Sequence, residues 1–199
     1  MTTDQPTDGF ETRAIHAGQD PESVTGSVIT PIFQTSTYAQ PAPGEHSGYE
    51  YSRTDNPTRT AFQDALAALE GARYGYAFAS GMAAEDTVLR SLQPGDHIVL
   101  GNDAYGGTFR LISKVVSRAG ITYSAADLTD PAALERDWNP ATRIVWMETP
   151  TNPLLTIFSI SAIAEVAHRN GAKLVVDNTF ASPYLQQPLD HGADLVIHS

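Results

Sequence analysis

The sequence predicts an α/β fold built on a parallel sheet, and three observations carry that prediction. Short, continuously apolar runs alternate with amphipathic stretches from residue 58 onward; glycine or an Asn-Pro or Asp-Pro pair punctuates most junctions; and polar residues follow the apolar runs directly. Phe62, Ala65, Leu66 and Leu69 recur at helical spacing between Asn56-Pro57 and Gly71, predicting a helix over 58–70. Tyr76-Ala77-Phe78-Ala79 is a strand candidate, Met82 to Leu92 a helix, and His97-Ile98-Val99-Leu100 a strand. Phe109, Ile112, Val115 and Val116 mark a helix that Gly120 ends. Ile121-Thr122-Tyr123 reads as a strand, Asp130-Pro131 as a helix start, and Arg143 to Met147 as a strand. A helix from Ser159 to Asn170 and strands at Leu174–Val176 and Leu195–Ile197 complete the alternation, with right-handed crossovers expected. Residues 1–60 show no such pattern and read as an irregular segment tied to another surface.

Composition narrows the function classes. The 199 residues are 41% hydrophobic, enough for one large domain with a substantial core. Twelve basic against 23 acidic residues give a net charge of -11, which argues against binding nucleic acid or anionic lipid. The absence of cysteine excludes disulfides, thiolate metal sites and a cysteine nucleophile. Met1 to Pro6 lacks the basic start and apolar run of a signal peptide, and no stretch is apolar enough to span a bilayer, so a cytoplasmic protein is expected.

In an open parallel sheet, ligands bind beyond the carboxyl ends of the strands. The residues delivered there are Ser80-Gly81, Glu148, Asp177-Asn178-Thr179 and His198-Ser199. Ser80-Gly81-Met82-Ala83-Ala84 is a strand-turn-helix junction whose free N–H groups and dipole suit an anion, although many such turns bind nothing. It lacks the lysine of a Walker loop and the glycines of a dinucleotide fingerprint. Asp177 either pairs with a protonated ring nitrogen or caps the following turn. Glu148 precedes a loop broken by Pro150 and Pro153, where backbone donors can also satisfy it. Tyr105-Gly106-Gly107-Thr108 sets an aromatic ring beside two glycines, as for a flat ligand approaching closely, or simply as a core tyrosine before a turn. Arg53, within Tyr49 to Arg59, is suited to a phosphate, although a loop arginine is more often solvated.

Five of these segments occur in one order: Tyr51-Ser52-Arg53 with Asn56-Pro57-Thr58-Arg59, Ser80 to Ala84, Tyr105 to Thr108, Glu148 to Pro153, and Val176 to Thr179. From about Thr12 to Ser199 the chain resembles the pyridoxal-phosphate (PLP) dependent enzymes of Cys/Met metabolism, the trans-sulfuration family of cystathionine γ-lyase and cystathionine γ-synthase. The resemblance implies the PLP-dependent aminotransferase-like fold (fold type I), three αβα layers around a mostly parallel sheet. It implies that Gly81, Met82 and Ser199 hold the PLP phosphate, with Ser80 also among the cofactor-binding residues, that Tyr105 stacks on the ring, Asp177 pairs with its nitrogen, Thr179 supports it, Asn152 lies near the ring hydroxyl, and Glu148 belongs to the surrounding polar network. Tyr51 and Arg53 would reach the phosphate of a neighbouring subunit, in a homodimer assembling to a homotetramer with shared active sites. Residues 1–60 would then be the partner-contacting segment and 61–199 an incomplete PLP-binding domain.

The family pattern places a Schiff-base lysine three residues beyond Ser199, so the chain is expected to be a fragment. The lysines present are Lys114, in a helix, and Lys173, at the end of a strand opposite the site. The implied reaction is γ-elimination or γ-replacement on a sulfur amino acid. Gly107, where methionine γ-lyases usually have a cysteine close by, lowers the methionine reading. Glu50 at the mouth of the partner's site favours cystathionine's distal amino group and so the lyase, with the synthase nearly level. Glu50, Tyr51 and Asn152 would contact substrate, and Tyr105 would move a proton near the leaving group. Outside the family, a nucleotide-binding or methyl-transfer α/β domain and a catalytically inactive binding module are the alternatives.

Overall fold

A computed structural model describes residues 8–199, which divide into two compact units, one ending at Ala77 and the other running from Phe78 to Ser199.

In the first unit, helix α1 (Phe10–His16) is held against α2 (Pro57–Glu70) by Arg13, whose Nη1 donates to the Ala68 carbonyl at 2.6 Å. This helix corrects the expectation of an irregular N-terminal segment. It buries no residue, so it carries no apolar stripe to reveal it. The predicted 58–70 helix is α2. Asn56 caps it by accepting from the Thr58 N–H at 2.9 Å, Pro57 occupies its first turn, and Gly71 closes it at φ 66. Its expected apolar face is only partly covered: Ala65, Leu66 and Leu69 are half-buried and Phe62 is 58% exposed.

The second unit is the predicted parallel sheet. Strands β1 (His97–Gly101), β2 (Thr122–Ala126), β3 (Thr142–Glu148), β4 (Lys173–Asp177) and β5 (Leu195–Ile197) lie in the order β2-β1-β3-β4-β5, every pair parallel. Alternation along the strands makes two cores. Ile98, Leu100, Ile144, Trp146 and Val175 face helices α3 (Gly81–Leu89) and α4 (Gly106–Lys114) through Leu89 and Ile112. Val99, Val145, Met147, Leu174 and Val176 face α5 (Pro131–Arg136) and α6 (Ile160–Arg169) through Leu134, Ile163 and Ala167. Helices thus cover both faces in three αβα layers. Trp146 is fully buried, and its truncation to alanine would cost about 3–5 kcal/mol.

Two expectations need correction. Residues 76–79 form no strand: a strand exists only through its ladder, and this run pairs with none among the described residues, leaving Tyr76 72% exposed. The helix expected to reach Leu92 ends at Leu89. The N–H groups of Ser91 and Leu92 turn back to the Val88 and Leu89 carbonyls, tightening the last turn before Pro94. Among the described residues no helix is long and apolar enough to cross a membrane.

Candidate active site

The strand order sets the site. From β1 the chain moves outward to β2, then returns past β1 to β3, so the connections diverge between β1 and β3. A crevice opens at such a switch point, beyond the carboxyl ends of the strands. Register brings the polar ends together, with Glu148 beside Asp177 and Asp177 beside Ile197, the residue preceding His198 and Ser199. The second unit therefore gathers Ser80, Gly81, Met82, Tyr105, Glu148, Asn152, Asp177, Thr179 and Ser199 along one edge.

At the start of α3, Ser80 caps the helix by accepting from the Ala83 N–H at 3.2 Å. The N–H groups of Gly81 and Met82 have no acceptor among the described residues. A Cβ on Gly81 would lie 2.5 Å from Cβ and 2.7 Å from Oγ of Ser199, so glycine lets the serine hydroxyl face the helix terminus. Two open N–H groups, a hydroxyl and the positive dipole end form an anion cradle.

Tyr105 stands at the entrance of α4 and is 41% exposed. Its backbone N–H donates to Glu148 Oε2 at 2.5 Å. A Cβ on Gly107 would collide with Tyr105 Cε1 and lie 3.0 Å from Met82 Sδ. The space left by Gly107 is thus taken by the tyrosine ring itself, where the sequence suggested room for a ligand.

Asp177 caps the following turn, one of the two roles that its local sequence left open, and keeps an oxygen free for the other. Its Oδ1 accepts the Thr179 N–H at 3.0 Å and the Thr179 hydroxyl at 2.6 Å, while no hydrogen bond reaches Oδ2 among the described residues. Thr179 Oγ1 in turn accepts the Ser199 N–H at 3.1 Å. The carboxylate is anchored by one oxygen and open at the other, as a partner for a cationic ring nitrogen requires.

Burial pushes the Glu148 carboxyl up to about 7, with Asp177 and Asp103 charges adding to the rise and the Tyr105 and Asn152 backbones opposing it. Burial likewise raises Glu85 to about 7; Thr108 opposes the rise, and the Asp177 charge adds to it.

Sequence reasoning missed two residues here. Asp103 Oδ2 accepts the Thr151 hydroxyl at 2.5 Å, and Thr151 Oγ1 accepts the Thr156 N–H at 2.8 Å, bracing the loop that carries Asn152. The signal existed, since Asp103 follows an apolar strand just as Asp177 does. Glu85 is the other, lying on one helical stripe with Gly81 and Leu89. Lys114 is exposed at the end of α4, and Lys173 Nζ, at the start of β4, bonds Asp194 Oδ1 at 2.8 Å.

The remaining predicted residues belong to the first unit. A hairpin-like loop there is closed by Tyr38 N–H to Glu50 carbonyl and Ser52 N–H to Ser36 carbonyl bonds at 3.2 and 2.9 Å. On it the Arg53 guanidinium sits 5.0 Å from the Tyr51 ring centroid, both side chains exposed. Glu50 Oε1 lies 3.0 Å from His46 Nε2.

A three-layer parallel α/β unit with an anion cradle, an open aromatic ring and a half-free carboxylate at one edge defines the class of fold type I PLP enzymes. The family model for Cys/Met metabolism PLP-dependent enzymes matches residues 11–199, and the chain belongs to that family. It is 58% identical over 191 residues to a probable cystathionine γ-synthase of Herpetosiphon aurantiacus, covering 96% of this chain and 60% of that protein. It is 50% identical over 191 residues to a cystathionine β-lyase of Coxiella burnetii, covering 96% and 49%. The crystal structure of cystathionine γ-lyase from Lactobacillus plantarum complexed with L-serine superposes with a TM-score of 0.93 at 49% identity, covering 96% of this chain and 50% of that one. The chain spans about half to three-fifths of the length of these relatives.

Proposed function

We propose that the protein catalyses PLP-dependent γ-elimination or γ-replacement on a sulfur amino acid, with cystathionine as substrate or product. The observation that carries this reading is the convergence of Gly81, Met82, Ser199, Tyr105 and Asp177 on one sheet edge within a chain of this family. PLP, when bound, supplies the electron sink that makes bonds beside the amino carbon labile.

The chain's own residues hold that sink in place. Gly81 and Met82 donate backbone N–H groups to the phosphate, and Ser80 and Ser199 offer hydroxyls. Asp177 keeps the ring nitrogen charged through Oδ2, Thr179 fixes the carboxylate, Asn152 meets the ring hydroxyl, and Tyr105 stacks on the ring. The Tyr105 hydroxyl moves a proton near the leaving group. Glu50, Tyr51 and Arg53 act across a subunit boundary in a homodimer paired into a homotetramer, which the exposed Tyr51–Arg53 pair and the exposed Phe62 of α2 support. We place the enzyme in the cytoplasm.

Similarity to a protein named γ-synthase, at 58% identity, supports replacement. A carboxylate at Glu50, facing the distal amino group of cystathionine, supports elimination. Assay of the whole protein with cystathionine, and with O-succinyl- or O-acetylhomoserine plus cysteine, decides between them; turnover of neither rejects the proposal. Tyr105→Phe is expected to slow turnover well beyond any loss of PLP affinity, and an unchanged rate discards the proton-transfer role.

A further inference from the structure

Glu85 is a carboxylic acid where a helix stripe calls for an apolar residue. It shares the buried face of α3 with Gly81 and Leu89, and it is 3% exposed. Its Oε2 is buried without a hydrogen-bond partner, and so is Oγ1 of Thr108, on the buried face of α4. Thr108 is near enough to influence the acid, yet the two make no hydrogen bond of ordinary geometry. A buried carboxylate here is costly even where the Thr108 hydroxyl can donate to it, because desolvation outweighs that contact, whereas a protonated one escapes the cost and carries a donor that Thr108 can accept. The helices pack tightly here, since a Cβ on Gly107 of α4 would lie 3.0 Å from Met82 Sδ of α3.

We infer that Glu85 is a positioning residue of the cofactor pocket: its neutral carboxyl group, donating to Thr108, ties the helix of the phosphate turn to the helix of Tyr105, and its ionised form opposes the phosphate one helical turn away. The inference rests on the reading of Gly81 and Met82 as phosphate donors. Burial places the titration of Glu85 at about 7. The other ionisable groups around α3 are Arg110 and Lys114 of α4, both exposed, His198 after β5, Asp177 and Glu148 at the adjoining strand ends, and Asp86 of α3, paired with Arg90.

The test measures PLP dissociation constants of the whole protein and its Glu85→Gln variant between about pH 6 and about pH 8.5, spanning the titration. The ionisations of PLP itself are common to both proteins and cancel in their ratio. Equal affinity is expected at the acid end, with the parent weaker by about tenfold at the alkaline end, the scale for like charges one turn apart under partial screening. A ratio that does not change with pH overturns the inference. Infrared difference spectra should show a protonated carboxyl signal at acid pH that Glu85→Gln removes; its absence also overturns it. Pyridoxal, which lacks the phosphate, should show no change in ratio. If the parent binds PLP and pyridoxal equally well, the phosphate-turn reading fails and takes the inference with it.

Discussion

Gly107→Ala is the most informative single change, because it moves Tyr105 without touching it. Gly107 lies in the first turn of α4 and has no left-handed backbone, so alanine meets no conformational penalty there. Helix propensity alone would favour alanine by about 1 kcal/mol. The new methyl group, however, would collide with Tyr105 Cε1 and lie 2.9 Å from Cδ1 and 3.0 Å from Met82 Sδ. Overpacking of this kind costs about 1–3 kcal/mol when the surroundings are rigid. Here they should yield, since Tyr105 is 41% exposed and its ring has solvent to rotate toward. Net stability should therefore change by no more than about 1 kcal/mol, the propensity gain offsetting much of the strain. On the proposed placement of Tyr105 over the cofactor, the stacking contribution of the displaced ring, about 0.5–1.5 kcal/mol, would be lost and PLP binding should weaken about 2- to 12-fold. Fluorescence titration of PLP onto the whole protein, with thermal unfolding as control, reads both quantities. If the effect passes through the ring, Gly107→Ala added to Tyr105→Ala causes no further loss. Fully additive losses in that cycle would refute the placement of Tyr105 on the cofactor.

Glu148→Ala leaves the Tyr105 N–H without its acceptor and should cost about 1–3 kcal/mol in chemical denaturation, while Glu148→Gln, which keeps an acceptor oxygen, should cost less. His97 is buried with Nδ1 2.9 Å from Thr142 Oγ1, and burial lowers its pKa below 6.5. The folded state then binds fewer protons than the unfolded chain, so stability is lost as pH falls through 6.5. His97→Gln should blunt that acid sensitivity, and unfolding curves at neutral and mildly acid pH check it. Glu85 has the opposite sign: raised to about 7, it favours the folded state in acid and disfavours it as pH rises from 4.5 toward 7. Glu85→Gln should therefore stabilise the protein at alkaline pH by on the order of 2 kcal/mol, and calorimetry at acid and alkaline pH reads the difference.

The elements visible in the sequence were those whose formation is decided locally. The strands at 97–101, 142–148 and 173–177 are apolar on both faces because helices cover both faces, and the caps at Asn56, Asp130 and Ser159 are side chains bonding their own helix. Residues 76–79 have the same apolar composition, but a strand depends on a partner that no local pattern encodes. Helix α1 escaped notice for a related reason: Arg13 anchors it to the Ala68 carbonyl, 55 residues away. In the site, the sequence shows which residues follow each strand, but not their division of labour. That Asp177 gives one oxygen to Thr179 and keeps the other open is a matter of rotamer and register. Nothing in the sequence marks Glu85, because only the packing of α3 against α4 puts its stripe inside.

The two units also differ in how firmly they hold the residues proposed to function. In the second unit each group is backed by buried structure. Glu148 holds the Tyr105 backbone, Thr179 holds Asp177, and Asp103 braces the loop carrying Asn152. Glu50, Tyr51 and Arg53 instead lie on an exposed loop held by a few backbone bonds. A rigid cofactor site can serve several outcomes, because the electron sink is the same whichever bond breaks, whereas exposed loop residues tolerate the substitutions that alter substrate choice. Relatives at 49–58% identity bear the names γ-synthase, β-lyase and γ-lyase. It follows that reaction choice should respond to exchanges at Glu50 and its neighbour His46, while exchanges at Tyr105 or Asp177 should impair every reaction together.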